Sequence, residues 1–237
     1  VWRAPTDNDR KLKADWYAAH YDHAATNAYH TEYTVTASGV TLHTHVGIAA
    51  ICVQKFLDLD VTWTVANNGS VGLALHAKRN TVFPELPRFG LRLFLPQEMS
   101  QVNYYGMGPM ECYRDKHHAA SHSSYTATVW QLHEDYIRPQ ENGSHFDCDY
   151  VMLAGDAVRL TAVGTQPFSF NASHYTQEEL TRKAHNYELE PCGSTVLCLD
   201  YAQNGIGSES CGPRLLEQYR LDDATFNFGL RLFPEKK

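Results

Sequence analysis

Leu57-Asp58-Leu59-Asp60-Val61-Thr62-Trp63-Thr64-Val65 alternates apolar and polar side chains over nine positions. That is the pattern of a strand with one buried and one wet face, since successive side chains of extended chain point to opposite sides. Asn67-Asn68-Gly69-Ser70 then breaks the run with turn chemistry. The same period of two recurs in Phe89, Leu91, Leu93 and Leu95, in Phe146, Cys148, Tyr150 and Met152, and in Phe226, Phe228, Leu230 and Leu232. Turn signals such as Ala37-Ser38-Gly39 and Ala154-Gly155-Asp156 separate runs of this kind, as antiparallel strands require. The expected class is therefore all-β. Helical signals are few: Thr176-Gln177-Glu178-Glu179 predicts a capping box and a short helix to about Ala184, and Asp15 to Ala19 predicts a second. No repeat, low-complexity stretch or linker interrupts the chain, so residues 1–237 are expected to form one domain.

Twenty-seven acidic against 20 basic residues give 237 residues a net charge of −7, with no Lys/Arg run. A polyphosphate backbone has nothing to bind here, and nucleic acid is not an expected partner. The longest apolar stretches, such as Val46 to Val53, fall short of the ~20 residues of a spanning helix, so no membrane is expected either. Six scattered cysteines without a secretory leader read as reduced thiols of a cytoplasmic protein. The first residue is Val1, not Met, which we read as the start of a piece cut from a longer polypeptide.

Candidate chemistry is thin for most residue types. His43 with His45, and His117 and His118 with His122, could face one another, but no Cys or carboxylate stands at ligand spacing beside them, and no metal is expected. The sequons at Asn68, Asn142 and Asn171 lack a secretory context. There is no Gly-x-Ser-x-Gly elbow. Glu111, Glu134, Asp135, Glu141 and Glu209 are conceivable members of a glycosidase pair, yet spacing brings no two of them together. Trp2-Arg3-Ala4-Pro5-Thr6-Asp7-Asn8-Asp9 is denser in directional polar groups than an edge strand needs. Two readings are open for it: ligand contacts, or Arg3 pairing with Asp7 or Asp9 to pin a loop.

That stretch resembles the opening of the C-terminal domain of family 2 β-galactosidases, and the resemblance continues in order. Tyr104-Tyr105-Gly106-Met107-Gly108-Pro109-Met110-Glu111 is similar to the family's aromatic-Gly-x-Gly-Pro-x-Glu segment, and Tyr136-Ile137-Arg138-Pro139-Gln140-Glu141-Asn142-Gly143 to its Pro-x-Glu-Asn-Gly loop. Phe168 to Leu180 matches a third segment, and Gly205-Ile206-Gly207-Ser208-Glu209-Ser210-Cys211-Gly212-Pro213 a fourth. The resemblance implies a large antiparallel supersandwich of the galactose mutarotase-like kind. It also implies that the hydrolytic glutamates sit on a separate (β/α)₈ barrel and that none of the carboxylates of this chain is catalytic. This domain would lend pocket-wall residues, Asp9, Arg10, Lys11, Glu209, Ser210 and Cys211, held by Trp2, Arg3, Asp7, Asn8, Glu141 and Asn142. The implied partners are a β-galactoside, the barrel and other domains of the same polypeptide, and further copies in a homo-oligomer. No cofactor is expected on this chain, while Mg²⁺ and Na⁺ can serve the whole enzyme.

Two departures bear on that wall. The family's lid loop after the Asp-Asn-Asp run is reduced here to Arg10-Lys11-Leu12-Lys13, a shortened loop with a basic tip. Cys211 stands where some relatives carry a Trp that stacks on sugar, forfeiting an aromatic contact worth about 0.5–1.5 kcal/mol. The alternatives are a stand-alone carbohydrate-binding sandwich and an aldose 1-epimerase using His174 as acid and Glu209 as base.

Overall fold

The computed structural model describes residues 1–207 and 211–237. Hairpins join β1 (Ala25–Thr36), β2 (Gly39–Ala49), β3 (Leu57–Ala66) and β4 (Val71–Arg79), with the Asn67 to Ser70 turn between the last two. There follow β5 (Arg88–Pro96), β6 (Gln101–Gly108), β7 (Ser121–Thr128), β8 (Ser144–Ala154), β9 (Val158–Ser173), β10 (Ser194–Gln203) and β11 (Thr225–Lys236). Every pairing between them is antiparallel, in the order β1-β2-β3-β4-β11-β9-β8-β6-β7, with β10 joined to β5 and β9. The expected all-β antiparallel architecture is what the chain adopts.

The sixteen-residue β9 divides the sheet. Its first half pairs with β11 as far as Gly164, and its second half leaves β11 to pair with β10 from Ser169. The β5–β10 pair thereby lies over the β4–β11 pair. The Phe226 ring of β11 stacks on Tyr201 of β10 at 4.4 Å and meets Phe89 of β5 edge-on at 4.9 Å. The apolar face of β3 continues across its neighbours, Leu59 opposite Ala77 and Ala77 opposite Phe226, into one buried cluster that runs from Trp2 to Leu232. Burying each large side chain there is worth roughly 1.5–3 kcal/mol.

Three local expectations are corrected. In β8 the buried side chains switch parity: Cys148 is buried, but beyond it Val151 and Leu153 are inside while Tyr150 and Met152 are half-buried. Register breaks on both sides of Cys148 cause this, because one inserted residue turns every later side chain to the other face. Helix α2 (Gln177–Arg182) stops two residues short of Ala184 and has half a capping box: Thr176 Oγ1 accepts from Glu179 N at 3.0 Å, but the Glu179 carboxylate pairs with Arg182 and Lys183. The segment after Asp9 is no loop. A 3-10 turn (Asn8–Arg10) runs into α1 (Leu12–Ala18), whose Leu12 and Trp16, four apart, are buried, with Trp16 Nε1 donating to Glu85 O at 2.9 Å.

Gly90 of β5 lies opposite Asp200 of β10, where a Cβ would come within 2.3 Å of Leu199 O and 2.4 Å of Asp200 Oδ1. Backbone on one side and a buried carboxylate on the other leave no room to give. Gly90→Ala is expected to destabilise the chain by about 2–3 kcal/mol in urea unfolding; an unchanged midpoint would show that the two strands can separate freely here.

Candidate functional site

Arg3 is fully buried and settles the open reading of its segment. Its guanidinium donates to Asp9 Oδ1 at 2.7 Å, to Gly205 O at 3.2 Å and to Asn204 O, with the Trp16 ring 5.1 Å away. The second Asp9 oxygen accepts from Thr6 N and Thr6 Oγ1, closing the 3-10 turn on itself. Arg3 therefore pins a loop, through Asp9 and not Asp7. The rest of the segment is sewn to two distant ones: Asn8 Nδ2 donates to Ile206 O at 2.6 Å, Asp7 N to Gln140 Oε1 at 2.8 Å, and Glu141 N to Ala4 O at 3.0 Å.

Glu111 performs the same task for the next two motifs. Its buried carboxylate accepts from Lys116 Nζ at 2.7 Å, from Gly143 N at 2.9 Å and from the Tyr136 hydroxyl. Burial pushes this carboxyl up, but the bonds from Lys116, Tyr136 and Gly143 outweigh it and hold it below the usual Glu range. Burial and the bond to Glu111 push the Tyr136 hydroxyl to about 12. Four residues beyond Glu111, Asp115 accepts from Ile206 N at 3.0 Å and Gly207 N at 2.7 Å, and so fixes the chain that leads to Ser208. Asn142 holds its own turn through Gln140 O and Glu134 N, and Asn171 of the remaining motif donates to Asn142 O.

Beneath these loops Arg88 donates twice to Asp200, at 2.6 and 3.2 Å, and once to Glu141 at 3.1 Å. All three side chains are buried. Burial holds both carboxyls above their ordinary values despite the shared cation.

The loops enclose a cleft of about 480 Å³ whose wall includes Asp7, Asn8, Asp115, Lys116, Tyr136 and Gln140. Carboxylate, amide, ammonium and phenol groups together suit a ligand rich in hydroxyls. Acid–base hydrolysis is another matter, because it needs two carboxyls free to act on one bond. Asp115 is engaged with backbone N–H groups, Glu111 with Lys116 and Tyr136, and Glu141, which also reaches the cleft, with Arg88.

The profile of the family described as "Beta galactosidase small chain" matches residues 1–232. The chain belongs to this family. It is 44% identical over 236 residues to the β-galactosidase of Actinobacillus pleuropneumoniae and 39% identical over 232 residues to that of Staphylococcus xylosus. These alignments cover 100% and 98% of the chain but 23% of either relative, so the chain spans about a quarter of their length. Among solved structures it is similar to galactose 1-epimerase from Lactobacillus acidophilus NCFM, with a TM-score of 0.45 and 10% identity over 87% of this chain and 66% of that one.

The small-chain motifs do not divide their labour as the sequence reading has it. Asp7 and Asn8, expected as supports, line the cleft, whereas Asp9, expected on the wall, lies beneath it with both oxygens spent on Arg3 and Thr6. One residue of a 3-10 helix turns about 120°, which is enough to exchange outward for inward. Arg10, Lys11 and Cys211 are exposed and stand apart from the described lining. Glu209 and Ser210 lie outside the described residues. Trp2 is tied to α2 by Nε1 donating to Thr181 Oγ1 at 3.1 Å, and Glu141 and Asn142 hold the loops as described above. Asp115, Lys116, Tyr136, Gln140 and Arg88 carry more of the site than the sequence reading gave them. Tyr136 and Gln140 lie inside a quoted motif, and Asp115 and Lys116 follow the end of another, Glu111, within a few residues, which is the signal the sequence offers for them.

Other candidates resolve as structure. His174 is buried, its Nδ1 3.3 Å from Ser194 O and its ring 4.6 Å from Trp130. Asn142 and Asn171 are buried and hydrogen-bonded, which leaves no amide for a glycan. His45 lies between Asp58 and Asp60 at 3.2 and 3.1 Å on the outer face of the sheet. Among the described residues no three ligand-type side chains converge on a metal position. No helix of the described residues is long and apolar enough to cross a membrane.

Glu111 yields a pH prediction. A carboxyl held below its unfolded value contributes stability that is complete above the ordinary Glu range and disappears as pH falls through the folded value. Glu111→Gln is expected to lose about 2 kcal/mol or more at pH 7, with the gap to the parent narrowing below about pH 4. Urea unfolding at pH 7 and pH 3.5 checks this, and a gap equal at both would remove the carboxylate from the explanation.

Proposed function

We propose that residues 1–237 are the single C-terminal sandwich domain of a cytoplasmic β-galactosidase, an enzyme that hydrolyses terminal non-reducing β-D-galactose residues with retention. The observation that carries this reading is the meeting of all the family-like segments at one polar cleft and its floor. The domain contributes pocket wall, and the two glutamates that do the chemistry lie on a barrel in the remaining three-quarters of a polypeptide of the relatives' length. Any Mg²⁺ or Na⁺ serves that larger part, and the full enzyme assembles as a homo-oligomer.

Two measurements test the proposal. The isolated chain should not turn over o-nitrophenyl β-D-galactoside above the buffer rate, whereas the full-length polypeptide should. Turnover by the chain alone, abolished by Glu111→Gln or Glu141→Gln, would place the chemistry here after all. In the full-length enzyme Asn8→Ala should raise KM about tenfold, the value of one lost polar contact, with kcat changed less. Equal loss in kcat at constant KM would deny Asn8 a place on the wall.

A further inference from the structure

Strand β5 leaves one side of its backbone open. Among the described residues it pairs with β10 alone. The start of the strand shows which groups face each way. Pro87 O accepts from Asn204 N at 3.0 Å on the β10 side, whereas Arg88 N turns away and donates to Val1 O at 3.3 Å. Extended backbone alternates, so the N–H and C=O groups of Gly90 and Arg92 point the same way as Arg88 N. No strand among the described residues lies there to meet them. An open edge of this kind is a template for pairing with further chain.

Val1 supplies a first rung on this edge, and the residues after it set the direction. The chain runs from Val1 to Arg3, whose guanidinium donates to Asn204 O, and Asn204 N is the donor to Pro87 O. It thus travels toward Pro87, against the course of β5. Traced the other way, the line past Val1 runs alongside Gly90 and Arg92. A groove of about 130 Å³ lies there, bounded by Val1, Gly90 and Arg92, by Asp22 and Ala24 ahead of β1, and by Glu178 of α2. Two further observations suit backbone in that groove. Leu91, Leu93 and Leu95 pack against the core cluster but are only half-buried, and alternate side chains of an added strand would finish covering them. Burial and the Arg88 guanidinium push the Val1 ammonium down to about 6, so the position disfavours a charge and suits an uncharged peptide N–H.

We infer that the open edge of β5 is the docking site for an extended segment of the same polypeptide, the residues that lead into Val1. They add an antiparallel strand to β5, lie in the groove and exchange backbone hydrogen bonds with Gly90 and Arg92. The strand presupposes the longer polypeptide of the proposed function, of which residues 1–237 are about a quarter by the relatives' length.

Hydrogen exchange at single-amide resolution, in the full-length polypeptide and in the 237-residue chain, tests the docking. Gly90 and Arg92 should exchange at least about tenfold more slowly in the full-length protein, the effect of a gained hydrogen bond. Leu91 and Leu93, whose N–H groups face β10, should differ less. Slowing below about tenfold at Gly90 and Arg92, or slowing that is equal at all four amides, overturns the inference. Protection that appears in the 237-residue chain alone as its concentration rises would put a second copy on the edge, and overturns it too. Turnover of o-nitrophenyl β-D-galactoside by the same full-length sample keeps the two readings apart. An active enzyme with Gly90 and Arg92 unprotected sinks the docked strand alone, and an inactive one with both amides protected sinks the hydrolase reading alone.

Discussion

Arg88→Met is expected to cost about 4 kcal/mol at pH 7, a large share of the roughly 5–15 kcal/mol by which an ordinary domain is stable. The guanidinium is the shared partner of two carboxyls that are almost wholly buried, Glu141 and Asp200, and methionine fills much of its volume while supplying no charge. The loss is therefore mostly the price of leaving carboxylates buried without a cation. The pH dependence separates this from lost packing. Both carboxyls already titrate above their ordinary values, so each disfavours the folded state as pH rises from its unfolded to its folded value. Without Arg88 those folded values rise further, and the variant's deficit should shrink as pH falls below 7 and the two groups take up protons. Glu111 pulls the opposite way, which is why the comparison must be between variant and parent at each pH. Neutralising the orphans should act like acid: Arg88→Met with Glu141→Gln and Asp200→Asn should recover most of the stability in urea unfolding. A deficit that is constant with pH, and no recovery in the triple variant, would assign the loss to packing alone.

Arg88 also shows where sequence reading stops. Its partners are 53 and 112 residues away, and a lone Arg after Pro87 carries no sign that its side chain turns inward. The β3 strand was legible because one face is buried and the other wet along its inner half, so the chemistry of each residue repeats the geometry. β8 was legible as a strand but not in its register, since the breaks beside Cys148 depend on what β6 and β9 present and leave no mark in local composition. The Thr176 cap was legible because it is a contact three residues long. At the cleft, residues of the quoted motifs come together, and which neighbours within them face the opening is set by the fold. Asp7, Asn8 and Asp9 are all short polar residues, and only the 3-10 turn, itself closed by Thr6 and Arg3, decides which of them faces out. Asp115 carries no local mark because its partners, the N–H groups of Ile206 and Gly207, are 91 and 92 residues on.

Arg3→Lys should be the second most damaging conservative change, about 3 kcal/mol, and its damage should be local before it is global. A planar fork reaches Asp9 and two successive carbonyls together, whereas an ammonium at the end of a flexible stem cannot satisfy the three from one point. Asn204 has other anchors, its N–H donating to Pro87 O and its Oδ1 accepting from Leu221 N, so it should stay in place. Gly205 loses its Arg3 bond, and the chain beyond it then depends on Asn8 and Asp115. Hydrogen exchange should accelerate at Ile206 and Gly207 more than in β10, and Asp115→Asn should reproduce that pattern with a smaller loss of stability. Asp9→Asn should be far from additive with Arg3→Lys, because either change alone already breaks the buried pair. Uniform acceleration across the sheet would mean that Arg3 supports the core at large. Acceleration confined to 205–207 would mean that a buried arginine sets the shape of the cleft, with the Trp16 ring and the 3-10 turn fixing in turn where its fork points.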